Sequence, residues 1–438
     1  MKPFKVHIIH VGTMDNKGTQ ALLLSDVSII REIIGDSSLL SVSTGDIKGV
    51  NELGMNIDAV VSPFIDIPYQ KVDSMARRYN FNRESAKYKV FALGILFFMM
   101  IQAALSVFSV ILLKVGAKAL YRYDAFKSLT ECNLVVSYSD ENFKETASSL
   151  PSNFFWVVTW WSMLISRTWQ ILLAKSLGKT VVMFPNSVGP FRTSVGKFLT
   201  KLALNNCEFV LVREAISYDI VKSLGIRSNI ILTADTALLF KSTIKYSRSN
   251  FSGLRIGVSP GIYGNSLSEK EIHRYILAHA QALDDCIEKY GLKVFFLPHF
   301  VMGFSHDDME ICRRIWAKMK NKDNVEIIYE PAVEKFKSIL DKMDMVISSK
   351  MHPAILATSG YVPVLCIVYD HKQTGFFQRL DMVDCMVDVR TLSYEVLSHK
   401  IDYVWNKRNI LSASLRTQIP PLQANVRLAI RKAITPFL

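Results

Sequence analysis

Closely spaced cysteines are missing from this chain of 438 residues, and with them the paired thiolates of a structural zinc site. The six that occur, Cys132, Cys207, Cys286, Cys312, Cys366 and Cys385, stand far apart. Several fall inside apolar strand or helix patterns, the pattern of reduced core residues in a cytosolic protein, and no metal is expected. Arginine–glycine tracts, finger spacings and aromatic RNA-binding motifs are absent too. The net charge of +13 is scattered along the chain, so nucleic acid is not the expected partner. An anionic substrate and an anionic lipid surface fit it better. Internal repeats, low-complexity tracts, the dinucleotide-binding glycine fingerprint and the Walker loop are all lacking. Residues 1–12, MKPFKVHIIHVG, hold too short an apolar run for a secretory signal and read as a first strand ending in a glycine turn.

Charge is missing from one long stretch. Residues 90–113 contain no ionisable side chain, with Lys87 and Lys89 before them and Lys114 and Lys118 after. About 20 apolar residues suffice to cross a hydrocarbon core. Strand patterns at 5–11 and 133–137 lie on either side, however, and strands of one sheet must share one side of a bilayer. An in-plane or dipping helix whose lysines meet lipid phosphates resolves the conflict, and an apolar helix buried between domains is the alternative. The tryptophan-rich stretch 154–169, interrupted by Arg167, suits a headgroup interface or a packed core equally.

Elsewhere apolar strands alternate with longer amphipathic segments, which predicts an α/β architecture of two Rossmann-like domains with largely parallel sheets facing a cleft. Candidate strands of the first are 5–11, 40–43, 59–61, 133–137, 180–184, 209–212 and 230–233, with a helix over 21–34. The polar, serine-rich stretch 241–253 reads as a linker. Candidate strands of the second are 255–259, 293–297, 325–329, 345–348, 362–368 and 385–389. The expected domains are 1–245, carrying the apolar insertion near 90–113, and 246–415. A basic helix at 416–438 is expected to cross back onto the first.

Residues 345–377, MVISSKMHPAILATSGYVPVLCIVYDHKQTGFF, carry the densest chemistry. The order is strand, loop, helix, strand, with Pro353 expected at the first helical position. Lys350 and His352 then lie beside the open amides of a helix start, and Tyr369, Asp370, His371 and Lys372 end the next strand at the same edge. A phosphate or carboxylate is the natural occupant, with a solvated basic loop as the plain alternative. Four further segments place polar residues at strand ends. In VGTMDNKGTQAL, Gly12 and Gly18 are expected to permit a tight turn. VVSYSDENF offers Ser139, Asp140 and Asn142, and VVMFPNSVGPF offers Asn186, Ser187 and Gly189. FVLVREAISYD offers Arg213, Glu214 and Ser217, and an arginine there suits a forked contact to an anion.

In the order and spacing of NKGTQAL, GKTVVMFPNSVGPF, FVLVREAISYDIVKSLGI, TADTALLF and SSKMHPAILATSGYVPVLCIVYDHKQTGFF, the chain resembles the polysaccharide pyruvyl transferases over nearly its whole length. The resemblance implies a two-domain fold similar to the GT-B glycosyltransferases. It also implies transfer of pyruvate from phosphoenolpyruvate to a sugar as a ketal, with release of phosphate and without a cofactor. It puts the family's basic-x-His element on Lys350 and His352, an arginine on Arg213, and a Tyr-x-x-Lys-x-x-Gly element on Tyr369, Lys372 and Gly375. Three departures stand out: Lys350 replaces an arginine, residues 137–140 replace a glycine-rich turn, and Thr19 replaces an acid.

On that basis Arg213, Lys350 and Lys372, helped by the helix start at Pro353, are expected to hold the donor. Tyr369, Asn16, Gly18, Asn186 and Ser187 complete the expected substrate contacts. His352 is the expected general acid and base, since imidazole titrates near neutrality. Asp140 or Glu214 is expected to orient or deprotonate the acceptor sugar. The first domain becomes the acceptor side and the second the donor side. The acceptor would be a glycan or lipid-linked sugar met at the cytoplasmic face of the cell membrane; neither its identity nor the oligomeric state is written in these residues. A nucleotide-sugar glycosyltransferase of the same architecture, and a non-catalytic membrane-docked glycan-assembly protein, are the competing readings.

Overall fold

Two all-parallel sheets organise the chain in the computed structural model, which describes residues 3–66, 86–145, 154–244, 253–262, 267–301 and 307–438. The α/β expectation with two Rossmann-like domains holds. One compact unit comprises residues 1–14, 26–235 and 427–438, and the other comprises 15–25 and 236–426. Most of the predicted linker, residues 245–252, lies outside the described residues.

The first unit holds β1 (Lys5–Val11), β2 (Leu39–Thr44), β3 (Ala59–Val61), β4 (Leu134–Ser137), β5 (Thr180–Asn186), β6 (Phe209–Val212) and β7 (Asn229–Leu232), in the order β3-β2-β1-β4-β5-β6-β7. The central strands are buried on both faces: every residue of β4 is buried, and so are all but the first of β1 and β5. That is the signature of a parallel sheet covered by helices on each side. The second unit holds β8 (Arg255–Ser259), β9 (Lys293–Phe296), β10 (Val325–Ile327), β11 (Met345–Ser348), β12 (Val364–Val368) and β13 (Met386–Asp388), in the order β10-β9-β8-β11-β12-β13. Each order reverses direction once, between β1 and β4 in one sheet and between β8 and β11 in the other. In parallel sheets of this kind, crossovers on either side of such a point leave to opposite faces, and ligands bind outside the carboxyl ends of the strands there.

Helix boundaries follow local chemistry. Helix Glu269–Tyr290 starts in a reciprocal Ser268–Glu271 capping box and stops at Gly291 with φ 61°, the left-handed conformation glycine tolerates. The six cysteines are buried and form no disulfide. Two expectations need correction. The last helix runs over Arg408–Ile434, through Pro420 and Pro421, instead of starting near the prolines. Leu415, Ile419, Val426 and Ile430, spaced along one face, are fully buried, and that packing outweighs the two missing amide donors. The helix after β11 begins at Met351, two residues before Pro353. Proline is tolerated throughout a first turn, whose amides lack intrahelical partners in any case. Helix Phe154–Ser176 contains the tryptophan-rich stretch.

Candidate functional site

At the reversal point of the second sheet, β8 ends in Ser259 beside β11, which ends in Ser348. Ser348 Oγ accepts from the Lys350 amide at 3.1 Å and donates to the Lys350 carbonyl at 2.7 Å, which turns the chain sharply. Lys350 stays extended at φ −117°, ψ 145° as the cap of helix Met351–Ser359. Its stem crosses Gly261, where an added Cβ would lie 2.1 Å from Lys350 Cε. Lys350 Nζ sits 3.3 Å from Asp308 Oδ1, and Asp308 is itself buried. Ser349, also buried, meets the Tyr275 hydroxyl at 2.5 Å, and the Gly261 amide donates to that hydroxyl at 3.3 Å. The Ser259 hydroxyl is buried with no hydrogen-bond partner among the described residues.

The segment 15–25 belongs to this unit and brings three residues to the same place. Asn16 Oδ1 accepts from the Gly18 amide at 2.9 Å, so Asn16 holds the start of helix Lys17–Ile34. Gly18 has no positive φ, contrary to the turn expected of it; its glycine is needed for close approach. A Cβ there would lie 2.1 Å from His352 Nδ1. Lys17, not foreseen as a site residue, is almost completely buried. Its ammonium donates to the Pro298 carbonyl at 3.1 Å and the His299 carbonyl at 2.9 Å, in the loop after β9. It also lies 4.7 Å from the ring centroid of Tyr329 and 5.3 Å from that of Phe336. Burial pushes its pKa down to about 8, against the pull of Asp308 and Glu330.

His299 stacks beside His352 with centroids 6.3 Å apart and planes at 26°. Burial first, then the positive charges of Lys17, His352 and Lys350, hold the His299 imidazole well below its ordinary range. The field at this point is therefore positive. The loop after β12 is tied to the one after β11 through Gln373. Its Oε1 accepts from the Tyr369 and Asp370 amides at 2.9 and 3.2 Å, and its Nε2 donates to the Ser349 carbonyl at 3.4 Å. Lys372 is buried in the first turn of helix His371–Arg379, Gly375 is buried one turn on, and Tyr369 is half-buried. Asn16, Gly18, Lys350 and His352 thus gather with Lys17 and His299, and Tyr369 and Lys372 occupy the adjoining strand end.

The remaining candidates lie at the strand ends of the first unit. Arg213 is buried, with Nε on Ser187 Oγ at 2.8 Å and one terminal nitrogen on Asp235 Oδ2 at 2.6 Å. Burial opposes its charge, but Asp235, Asp140, Glu141 and Glu214 outweigh that and raise its pKa. Glu214 is fully buried as the cap of helix Ala215–Ser223, where Oε2 accepts from the Ser217 amide at 2.8 Å. Asn186 joins β5 to its neighbour: Nδ2 donates to the Tyr138 and Phe184 carbonyls at 2.9 and 2.8 Å, and Oδ1 accepts from the Asn142 amide at 3.0 Å. Asp140 is half-buried. In the turn after β4, Ser139 sends its amide and hydroxyl to Asp26 at 3.0 and 2.8 Å, so a serine–aspartate contact shapes it without glycine. Cations gather at the second sheet, whereas the residues at the first are largely engaged with one another.

Comparison with known proteins joins this geometry to a family. The family described as polysaccharide pyruvyl transferase matches residues 53–371. The amylovoran biosynthesis protein AmsJ of Erwinia amylovora is 22% identical over 285 residues, covering 61% of this chain and 67% of its own. Among solved structures, a putative UDP-N-acetylglucosamine 2-epimerase from Listeria monocytogenes superposes with a TM-score of 0.57 at 12% identity, over 98% of this chain and 95% of its own. A UDP-GlcNAc 2-epimerase from Neisseria meningitidis gives 0.56 at 11% identity, over 99% and 100%. A glycosyltransferase from Rickettsia africae gives 0.53 at 11% identity, over 100% and 98%. At such identities the structural likeness speaks for the fold alone.

Proposed function

The chain belongs to the polysaccharide pyruvyl transferase family, and on that premise we propose that it transfers pyruvate from phosphoenolpyruvate to a sugar of a polysaccharide or lipid-linked glycan, forming a ketal and releasing phosphate. The observation that carries the reading is the cluster of Lys17, Lys350, His299 and His352 at the β8–β11 reversal point, with the His352 ring seated on Gly18. Phosphoenolpyruvate presents a phosphate and a carboxylate on three carbons. Lys350, Lys372 and the first-turn amides of helices Met351–Ser359 and His371–Arg379 are the groups that suit them.

In the proposed sequence, a proton passes from His352 to the donor methylene carbon while the oxygen of one sugar hydroxyl attacks the central carbon. The C–O bond to phosphate then breaks, and a second hydroxyl of the same sugar attacks that carbon. The acceptor loses two hydroxyl protons. One replaces the proton delivered to the new methyl group, and the other leaves on hydrogen phosphate. Lys17 fixes the Pro298–His299 loop against the helix start and is a positioning residue here. Glu214 is a helix cap, which leaves Asp140 as the acid we assign to the acceptor.

The test is to incubate the purified chain with candidate glycans and either phosphoenolpyruvate or UDP-sugars, following phosphate and UDP release. Phosphate release with gain of a pyruvate ketal on the glycan, lost in His352→Ala, is expected. UDP release without phosphate release would overturn the reading in favour of a nucleotide-sugar transferase.

A further inference from the structure

Helix Ala86–Lys114 is turned inside out by the standard of a water-soluble protein. Between 93 and 111 its polar side chains face inward: Gln102, Ser106 and Ser109 are all buried. Gln102 Oε1 accepts from the Asp66 amide at 2.9 Å and the Tyr121 hydroxyl at 3.0 Å. Ser109 Oγ accepts from the Tyr121 amide at 3.2 Å, and Ser106 Oγ donates to the Gln102 carbonyl at 2.8 Å. The apolar side chains face outward. Leu93, Phe97, Met100, Phe108 and Ile111, spaced four, three, eight and three residues apart along one face, are 54%, 61%, 61%, 48% and 52% exposed. Among the described residues the outward face from 93 to 111 carries no polar side chain.

We propose that this face docks the first unit on a bilayer containing anionic phospholipid, with the helix lying along the interface. Three features favour lipid over a second copy of the chain. A protein interface keeps a polar rim, and here the polar residues are turned away from the exposed face. The uncharged run is bounded by lysines at both ends in sequence, Lys87 and Lys89 on one side and Lys114 and Lys118 on the other, suiting the phosphates of one headgroup layer at each end of a helix lying in it. The face also continues into an apolar groove of about 280 Å³ against helix Phe154–Ser176, lined by Val107, Ile111, Trp169 and Leu172 and bordered by Lys114. Such a slot suits an acyl chain whose headgroup meets the ammonium. The stretch Leu93–Lys114 is long enough to cross a bilayer, but β3 and β4 on either side of it are strands of one sheet, so it lies flat. The proposal stands on the surface of this unit and not on the transfer reaction.

Flotation of the full chain with vesicles tests it. The chain is expected to float with phosphatidylcholine–phosphatidylglycerol vesicles and weakly with phosphatidylcholine alone. Replacing the outward residues in Phe97→Ser/Met100→Ser/Phe108→Ser should lower vesicle binding more than about tenfold with the melting temperature held. Lys114→Gln/Lys118→Gln should cost about fivefold per lysine on anionic vesicles only. Phosphate release with a water-soluble acceptor should be unchanged in both variants, which separates this result from failure of the transferase reading. Absence of flotation with either vesicle would overturn the proposal. So would a dimer, seen by light scattering, that the triple serine variant dissolves while vesicle binding stays the same.

Discussion

At the carboxyl-terminal edges of the two sheets, the central buried group of each feels charges of opposite sign. At the first, the main cation is Arg213, and four acids act on it, with Asp235 and Ser187 holding its guanidinium. At the second, the central imidazole is His299, and three positive groups act on it. Arg213, expected from sequence to hold the donor, also forms a buried ion pair with Asp235. A lysine overlooked in the first loop, Lys17, belongs to the second unit and adds positive charge beside His299. Charge counted along a chain does not say where an anion binds; the sign of the potential at the strand ends does.

The sharpest way to break the contrast is Arg213→Ala. Removing one partner of a buried pair leaves Asp235 charged and desolvated, and the expected destabilisation is about 3–5 kcal/mol, read as a lowered melting temperature. Arg213→Met with Asp235→Leu should recover much of that loss. If Arg213→Ala instead melts like the parent and only weakens phosphoenolpyruvate binding, Arg213 is a donor ligand and the two edges are not different in kind.

Gly18→Ala attacks the other edge. The new methyl would sit 2.1 Å from His352 Nδ1, so either the imidazole or the helix start must move. A displacement near 1 Å costs on the order of a hundredfold in kcat. Stability should fall by only about 1–3 kcal/mol, since one side chain has to give way. Equal loss of activity from Gly12→Ala would mean that loop shape matters and the His352 contact does not. Lys350→Gln comes next. Loss of one charged contact to the donor is expected to lower kcat/KM by roughly 10- to 100-fold, mostly through KM for phosphoenolpyruvate. Lys350→Arg should retain more activity than Lys350→Gln, because it keeps the charge beside Asp308.

Periodicity made the strands legible. β1, β3, β6, β8 and β11 lie where alternation and turn residues put them, because two buried faces leave few other readings of FVLV or MVIS. Pattern could not show what each polar residue at a strand end is doing. Glu214 caps helix Ala215–Ser223 by accepting from the Ser217 amide, but the usual box puts the serine first and the glutamate three residues on, so the pattern did not announce it. The role of Gly18 was not available, since its neighbour His352 is 334 residues away in the chain and only the folded unit brings them together. Lys17 was hidden for the same reason: its partners are carbonyls of Pro298 and His299, which any sequence provides. In the apolar helix, composition pointed to lipid, but the inward turn of Gln102, Ser106 and Ser109 belongs to the structure.

The gentlest probe of the contrast is pH. Burial lowers His7 and His279 to about 4 and His10 to about 3, and His299 also lies well below its ordinary value. An unfolded histidine titrates near 6.5. Above that pH both states are neutral and these groups do not affect the balance. Below it the unfolded chain takes up protons that the native chain refuses, so stability falls as pH drops from about 6.5 toward 4, by about 1.4 kcal/mol per pH unit for each histidine. His7 and His10 belong to the first unit, His279 and His299 to the second. An anion bound beside Lys350 and His352 offsets the positive field at His299 and raises its pKa, leaving His10 where burial holds it. Phosphate titrated against imidazole NMR signals should therefore shift the His299 titration upward and leave that of His10 fixed. An equal shift at both, or at His10 alone, would place the anion at the first sheet and reverse the assignment of the two edges.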